Sequence, residues 1–249
     1  MGRTPLRIAL LLALGACAAD GPARHPFAVE LEGGAAWSMR NDVAVPGDTG
    51  TRFALDELTG SGPDPVGRLY ASWMPSARHE LRALVAPLRV SGEGQLDQPV
   101  DFAGQTFAAG VPTDATYRFD SYRLTWRYLV HDGARWDWRL GLTAKLRDAE
   151  IELAQGGLVA RKTDTGFVPL LHVAVDWQAT PDWRLALDVD GAAAPQGRAI
   201  DASLKGWWTL REGLELGLGY RALEGGADND EVYTFAWFQQ AVLSLRLAF

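Results

Sequence analysis

Residues 241–249 read AVLSLRLAF, and this C-terminal stretch decides the fold of the chain. Its apolar positions are Leu243, Leu245, Leu247 and Phe249. The residues between them, which include a serine and an arginine, fall on the opposite face. A repeat of two residues is the period of a β-strand, because successive side chains of a strand point to opposite sides of the sheet. The stretch therefore predicts a strand with one apolar and one mixed face.

The same alternation recurs from about residue 27 to the C-terminus. Read as strands, the alternating segments are 27–41, 66–74, 80–91, 116–130, 136–152, 164–177, 183–193, 199–210, 214–223 and 232–249. That is about ten strands, with 8 to 12 possible, and a closed single-chain bacterial barrel needs an even number. The sequence predicts an all-β fold, namely a closed antiparallel transmembrane β-barrel.

The connections between these strands alternate in length. Short links fall near 75–78, 131–134, 179–182 and 211–213, whereas 42–65 and 92–115 are long and rich in Gly, Pro, Asp and Thr. Short turns on one rim and long loops on the other are typical of outer-membrane barrels, in which the short turns are periplasmic. The acidic segment 224–231 lacks the spacing of a calcium-binding EF-hand. It is therefore interpreted as an exposed hairpin loop and not as a calcium site.

Tryptophan placement indicates the same geometry. The chain has 10 tryptophans, and six lie within a few residues of a short turn: Trp73, Trp136, Trp138, Trp177, Trp183 and Trp208. Tryptophan favours the membrane–water interface, because its ring is apolar and its N–H needs a polar partner. These six predict an aromatic girdle at the periplasmic rim.

The first residues predict export. Arg3 and Arg7 precede an apolar run at 8–14 and small residues at 15–19, which is the pattern of a signal peptide over residues 1–18. Cys17, the single cysteine, has two interpretations: the acylated residue of a lipobox, or part of an ordinary small-residue cleavage site. Residues 19–249 then form one barrel domain.

The C-terminal run 241–249 resembles the terminal recognition strand of Gram-negative outer-membrane proteins. The rest of the chain resembles a small-barrel family of that membrane in architecture only. The resemblance implies location in the outer membrane, contact with its lipids, and recognition by the barrel assembly machinery through Leu245, Leu247 and Phe249. A soluble β-sandwich or lipocalin-like barrel also alternates, but it places its apolar residues inside. The terminal aromatic, the tryptophans and the charge on the opposite faces favour the membrane barrel.

If the apolar faces meet lipid, a lumen lined with both signs of charge follows. The inward set is Glu30, Glu32, Arg40, Arg68, Arg123, Arg127, Arg139, Lys145, Arg147, His172, Asp176, Arg184, Asp188, Asp190, Asp201, Lys205, Glu215, Arg221 and Arg246. Unpaired buried ions cost several kcal/mol each, so these groups are expected to pair.

The predicted network centres on Asp176, Arg184, His172, Asp188, Lys205, Arg221 and Arg246. The Thr180–Pro181 turn suggests that Trp177 faces Trp183, which sets Asp176 opposite Arg184 and His172 opposite Asp188. Gly217 and Gly219 are expected to make room in the lumen for Trp207.

Several function classes are disfavoured. The net charge of −7 argues against nucleic-acid binding. No phosphate loop, metal–cysteine cluster or nucleophile elbow occurs, so no cofactor, metal or catalytic residue is predicted. A Ser203–His172–Asp188 triad would place Asp188 in the middle, whereas catalysis needs the histidine there. The sequence favours a structural or interaction barrel with a filled lumen. The alternatives are a narrow small-solute channel and a lipid- or peptide-modifying enzyme, and the oligomeric state is left open.

Overall fold

The computed structural model describes residues 25–249. The predicted signal peptide at 1–18 and Cys17 lie outside the described residues. The strands are β1 Phe27–Ala44, β2 Phe53–Ala54, β3 Asp64–Trp73, β4 His79–Ala86, β5 Arg89–Gln95, β6 Val100–Phe102, β7 Gln105–Phe107, β8 Pro112–Asp132, β9 Trp136–Gln155, β10 Leu158–Thr180, β11 Trp183–Ala194, β12 Gly197–Arg211, β13 Leu214–Asn229 and β14 Val232–Ala248. One short helix, α1 Asp56–Thr59, lies between β2 and β3. Within 25–249 no helix is long and apolar enough to cross a membrane.

The chain closes into a ten-stranded antiparallel barrel, as the sequence predicts. The last strand, β14, pairs with β1 from Ala28↔Ala248 to Ala44↔Tyr233, which leaves no free edge at the seam. β4 and β5 are two halves of one wall segment, because both pair with β8. The break falls at Pro87 and Leu88, and proline has no N–H for the ladder. This break is what blurs the face pattern of residues 80–91.

The two faces of the wall are those of a membrane barrel rather than a soluble one. Leu31, Leu218 and Leu245 point outward with 60%, 69% and 47% of their surface exposed, whereas Glu32 and Lys205 point inward and are buried. Apolar side chains outside and charged side chains inside fit a hydrocarbon surround. At the short-turn rim, Trp183 stacks on Trp208 with ring centroids 5.9 Å apart.

The rim opposite the short turns differs from the expected set of long loops. Three of its connections are two-residue turns, at 156–157, 195–196 and 230–231. The strands instead continue past the apolar belt as a polar extension of the wall. Residues 224–229 therefore belong to β13, and the interpretation of 224–231 as a loop is wrong. Cross-strand contacts explain the extension, for example Arg198 Nε donating to Glu224 Oε1 at 3.0 Å.

The two long connections, 45–63 and 96–111, fold over this rim. They carry α1 and the β6–β7 hairpin, and their apolar side chains form a cap. Buried members of the cap include Leu55, Leu58, Val100, Phe102 and Phe107, which cluster with wall residues of β1, β8, β9 and β14. Burial beside this cap raises the pKa of the Asp56 carboxyl above its usual value. Apolar packing thus covers the part of this rim formed by β1, β8, β9 and β14.

Candidate functional site

The middle of the lumen is crossed by a layer of paired charges, here called the septum. It consists of four cations and four carboxylates: Arg68, Arg123, Lys205 and Arg221 with Glu30, Glu32, Asp190 and Asp201. All eight are buried, and they come from strands on every side of the barrel. Their equal numbers make the septum electrically balanced.

Asp201 of β12 is the centre of the septum. It accepts hydrogen bonds from Arg68 Nη1 at 2.9 Å and from Arg221 Nη1, and it forms an ion pair with Arg123 Nη2 at 2.7 Å. Each guanidinium also reaches a second carboxylate, as Arg123 does to Asp190 at 2.8 Å. Charge-assisted contacts of this kind offset the desolvation of buried ions. The layer therefore joins β3, β8, β12 and β13 across the lumen.

Glu32 of β1 connects the septum to the barrel seam. Its Oε2 lies 2.6 Å from Lys205 Nζ and 3.1 Å from Arg221 Nη2. Lys205 also pairs with Glu30, and Arg221 donates to the Tyr70 hydroxyl at 2.9 Å. Tyr70 was not among the expected lumen residues, because an isolated tyrosine gives no charge signal. Of the predicted network, Lys205 and Arg221 thus meet here.

His172 lies beside the septum with a different partner from the expected one. It stands opposite Asp190 on β11, and its Nδ1 lies 2.8 Å from Asp190 Oδ1. Asp188 is farther away, 4.0 Å from His172 Nε2. The prediction that Trp177 faces Trp183 is wrong: an irregularity between Gln178 and Thr180 places Trp177 opposite Leu185 and moves each lumen residue of β10 two places along β11.

Asp188 instead belongs to a cluster on the periplasmic side. It accepts from Arg82 Nη2 at 2.9 Å and from Arg127 Nη2 at 2.8 Å. Arg82 was missed by sequence reasoning, since the break at Pro87 hid the inward face of β4. Ser203 stands opposite Asp188 and His172 opposite Asp190, so the three residues of the rejected triad are not in catalytic order.

A polar chamber of about 440 Å³ lies between the septum and the short-turn rim. Asp176 is bound there by Arg184 and, at 2.6 Å, by Arg139. Glu215 binds Arg184 Nη2 at 3.0 Å and Arg246 Nη1 at 2.6 Å. The predicted network residues Asp176, Arg184 and Arg246 thus meet in this chamber, below the septum.

A second chamber, about 520 Å³, lies on the other side of the septum and is mainly apolar. We call it the outer chamber. Its lining includes Phe119, Leu170, Leu223, Ala236 and Phe238. Nothing in the sequence marks these residues as a group, because they come from four strands. The barrel thus holds two unlike chambers separated by charge.

Lys145 of β9 lines the outer chamber and is 3% exposed. Its ammonium lies 4.7 Å from the centre of the Phe119 ring. Among residues 25–249 it makes no hydrogen bond and no ion pair. By contrast, neighbouring Arg147 is bound to Asp164, and Arg123 belongs to the septum. Lys145 was expected in the lumen, but no sequence signal shows that a carboxylate fails to reach it.

Arg40 is the exception among the expected lumen residues. A bulge between Ser38 and Arg40 sets Arg40 beside the outward-facing Trp237, so its placement in the lumen is wrong. There Arg40 Nε donates to Asp42 Oδ2 at 2.7 Å. On the same outer surface, Arg118 Nη1 donates to Asp148 Oδ2 at 2.7 Å. These pairs mark the polar boundary above the apolar belt.

Comparison with known proteins supports the fold. No protein-family model matches the chain. No curated protein matches it either. Among solved structures, the outer membrane protease OmpT from Escherichia coli is similar with a TM-score of 0.54 and 8% identity, over 90% of this chain and 96% of that one.

Two further structures are less similar. Ail, the attachment invasion locus protein of Yersinia pestis, has a TM-score of 0.42 at 10% identity, over 88% of this chain and 98% of that one. The Pseudomonas putida toluene transporter TodX has a TM-score of 0.37 at 10% identity, over 91% of each chain. At such identities the likeness concerns the fold alone.

The closed wall, the outward apolar belt and the charged lumen together define the class of the protein. It is a small transmembrane β-barrel of the Gram-negative outer-membrane type. The septum divides its lumen into two chambers.

Proposed function

We propose that the protein is a non-conducting barrel of the outer membrane with a structural or interaction role. Its charged lumen rigidifies the wall instead of passing solutes. Ten strands enclose far less space than the 16 to 18 strands of porins that hold aqueous channels. The long lumen side chains reduce that space further.

The septum is the observation that carries this proposal. Asp201 alone binds three guanidinium groups, and Glu32 binds Lys205 and Arg221. A solute crossing the lumen would have to separate these pairs. Breaking one buried pair costs about 3–5 kcal/mol, so passage through several would be slow. The cap over the rim opposite the short turns adds an apolar obstacle.

Planar-bilayer recording of purified, folded protein tests the proposal. We expect no conductance steps, or only small ones. The comparison is an opened variant in which Glu32, Asp201 and Arg221 are all replaced by serine, which shortens three septum side chains. After a gel-shift check of folding, this variant should conduct more than the wild type. Large, stable, porin-sized steps from the wild type would favour the channel alternative and refute the proposal.

A further inference from the structure

The barrel wall has a notch between β10 and β11. Their ladder runs from Thr180↔Trp183 to Leu171↔Gly191 and ends there. β10 nevertheless continues to Leu158, paired over this upper part only with β9. The β11–β12 hairpin turns back at 195–196, so the wall is low on that side. The notch is the unpaired space between β10 and β11 that begins beyond the Leu171↔Gly191 pair and extends toward the outer rim.

Proline explains where the ladder stops. Gln178 N donates to Arg135 O on the β9 side, and β10 keeps an unbroken register with β9. N–H groups of successive strand residues point to alternate neighbours, so the odd-numbered residues of β10 face β11. Leu171 is the last of these to be paired, and the next is Pro169. Because proline has no N–H, the ladder loses a donor at that step.

The sides of the notch are apolar on their outer surface. Phe167 and Leu171 on β10 are each 67% exposed, and Ile200 on β12 is 40% exposed. Side chains of this kind face lipid in a membrane barrel. Phe167, Pro169 and Ile200 also line the outer chamber. The notch therefore connects the chamber with the outer part of the lipid belt.

Lys145 gives this chamber a specific chemistry. The ammonium of Lys145 lies beside the Phe119 ring and has no hydrogen-bond or ion-pair partner among residues 25–249. An isolated buried ion is expensive, and folded proteins normally pair it. A side chain 3% exposed that lines an apolar cavity without a partner indicates a ligand with a negative group.

We propose that the outer chamber binds a single-chain amphiphile with an anionic head, of the fatty-acid class, which enters through the notch from the membrane. The carboxylate pairs with Lys145 Nζ, and the chain lies along Phe119, Leu170 and Leu223. The chamber volume of about 520 Å³ lies within the roughly 300–1,000 Å³ of sites that hold one small molecule. Asp201 and Arg123 of the septum form the floor of this chamber, and the notch opens its side toward the lipid belt.

This site is independent of the proposed non-conducting role, because a conducting barrel could hold it and a closed barrel could lack it. Bilayer currents test the septum, and equilibrium binding tests the chamber. If one of these two proposals fails its test, the other is therefore unaffected.

Binding of tritiated palmitate to the purified full-length protein tests the site, with hexadecanol as the uncharged match. The wild-type protein should bind palmitate with higher affinity than hexadecanol. Lys145→Met should lose about tenfold or more in palmitate affinity without losing hexadecanol binding, and Lys145→Arg should keep most of both. Absence of palmitate binding by the wild type, or equal binding by wild type and Lys145→Met, would overturn the proposal.

The notch is tested by the rate of association. In a Cys17→Ser background, cysteines replace Val168 and Ala194, which would pair if the register continued beyond Leu171↔Gly191, and a bifunctional thiol reagent joins them. Pro169 is kept in every variant. Cross-linking should slow palmitate association severalfold, whereas each single-cysteine variant treated with the reagent should associate normally. Unchanged association in the cross-linked protein would refute entry through the notch.

Discussion

Asp176 on β10 binds Arg184 on β11, although the residue directly opposite Asp176 is Ala186. The pair is diagonal, and Arg184 extends along the lumen to reach it. Arg184 also binds Glu215 on β13 at 3.0 Å, so one guanidinium connects β10, β11 and β13. The contact thus depends on side-chain length rather than on strand register.

The first prediction concerns this pair. Asp176→Ala and Arg184→Ala should each destabilise the barrel, and the double variant should cost less than their sum by about 0.5–1.5 kcal/mol. The size is modest because both side chains are only partly buried. Urea unfolding in lipid vesicles, followed by tryptophan fluorescence, measures it. The control pairs Arg184→Ala with Asp132→Ala at the short-turn rim; equal coupling in both cycles would contradict the prediction.

The second prediction concerns space in the lumen. A Cβ at Gly217 would lie 2.8 Å from Cε3 of Trp207, which confirms the expected packing role of this glycine. Gly217→Ala should therefore destabilise by about 1–3 kcal/mol, as overpacking does. Gly206→Ala is the matched control, because nothing lies nearer than 3.9 Å to its added Cβ. Equal unfolding midpoints for the two variants would show that Trp207 moves aside freely.

Much of the fold follows from the sequence, because alternation survives in every wall strand except the one interrupted at Pro87 and Leu88. The register of β10 and β11 does not, since a single irregularity at Gln178 shifts all pairs beyond it. The polar strand extensions were also missed. Beyond the lipid boundary the outward face becomes charged, and the two-sided polarity of residues 224–229 looks like a loop.

The sequence predicts that the lumen is lined with charges, but it does not predict which of these charges pair. Asp201 and Arg221 are visible as inward charges, yet their meeting with Arg68 across the lumen depends on the stagger of the whole barrel. For the same reason the sequence could not show that Lys145 lacks a carboxylate. Contacts between residues on adjacent strands are local, whereas contacts across the lumen depend on how the barrel closes.

The third prediction concerns assembly. We expect the terminal strand, with Leu245, Leu247 and Phe249 on its lipid face, to be read by the assembly machinery. Deletion of Phe249 should lower the fraction of folded, heat-modifiable protein in outer-membrane preparations. The ring of Phe249 also stacks on Phe27 at 6.2 Å, so a loss of stability could mimic the effect. Phe27→Ala removes that stack and keeps the C-terminus; assembly as poor as in the deletion would argue against a terminal signal.

The last prediction compares two lysines in the same lumen. Lys205 binds Glu30 and Glu32, whereas Lys145 binds no carboxylate among the described residues. Methionine matches the lysine chain closely but carries no charge. Lys205→Met should therefore destabilise by about 3–5 kcal/mol, because it leaves Glu30 without its cation and removes one of the cations that bind Glu32.

Lys145→Met should have the opposite sign, since it removes an unpaired charge from an apolar chamber and leaves no group behind. Its unfolding midpoint in urea should equal or exceed that of the wild type, measured without added palmitate. Sites kept for binding commonly reduce stability in this way. A Lys145→Met protein as unstable as Lys205→Met would show that the Lys145 ammonium holds the fold together and is not reserved for a ligand.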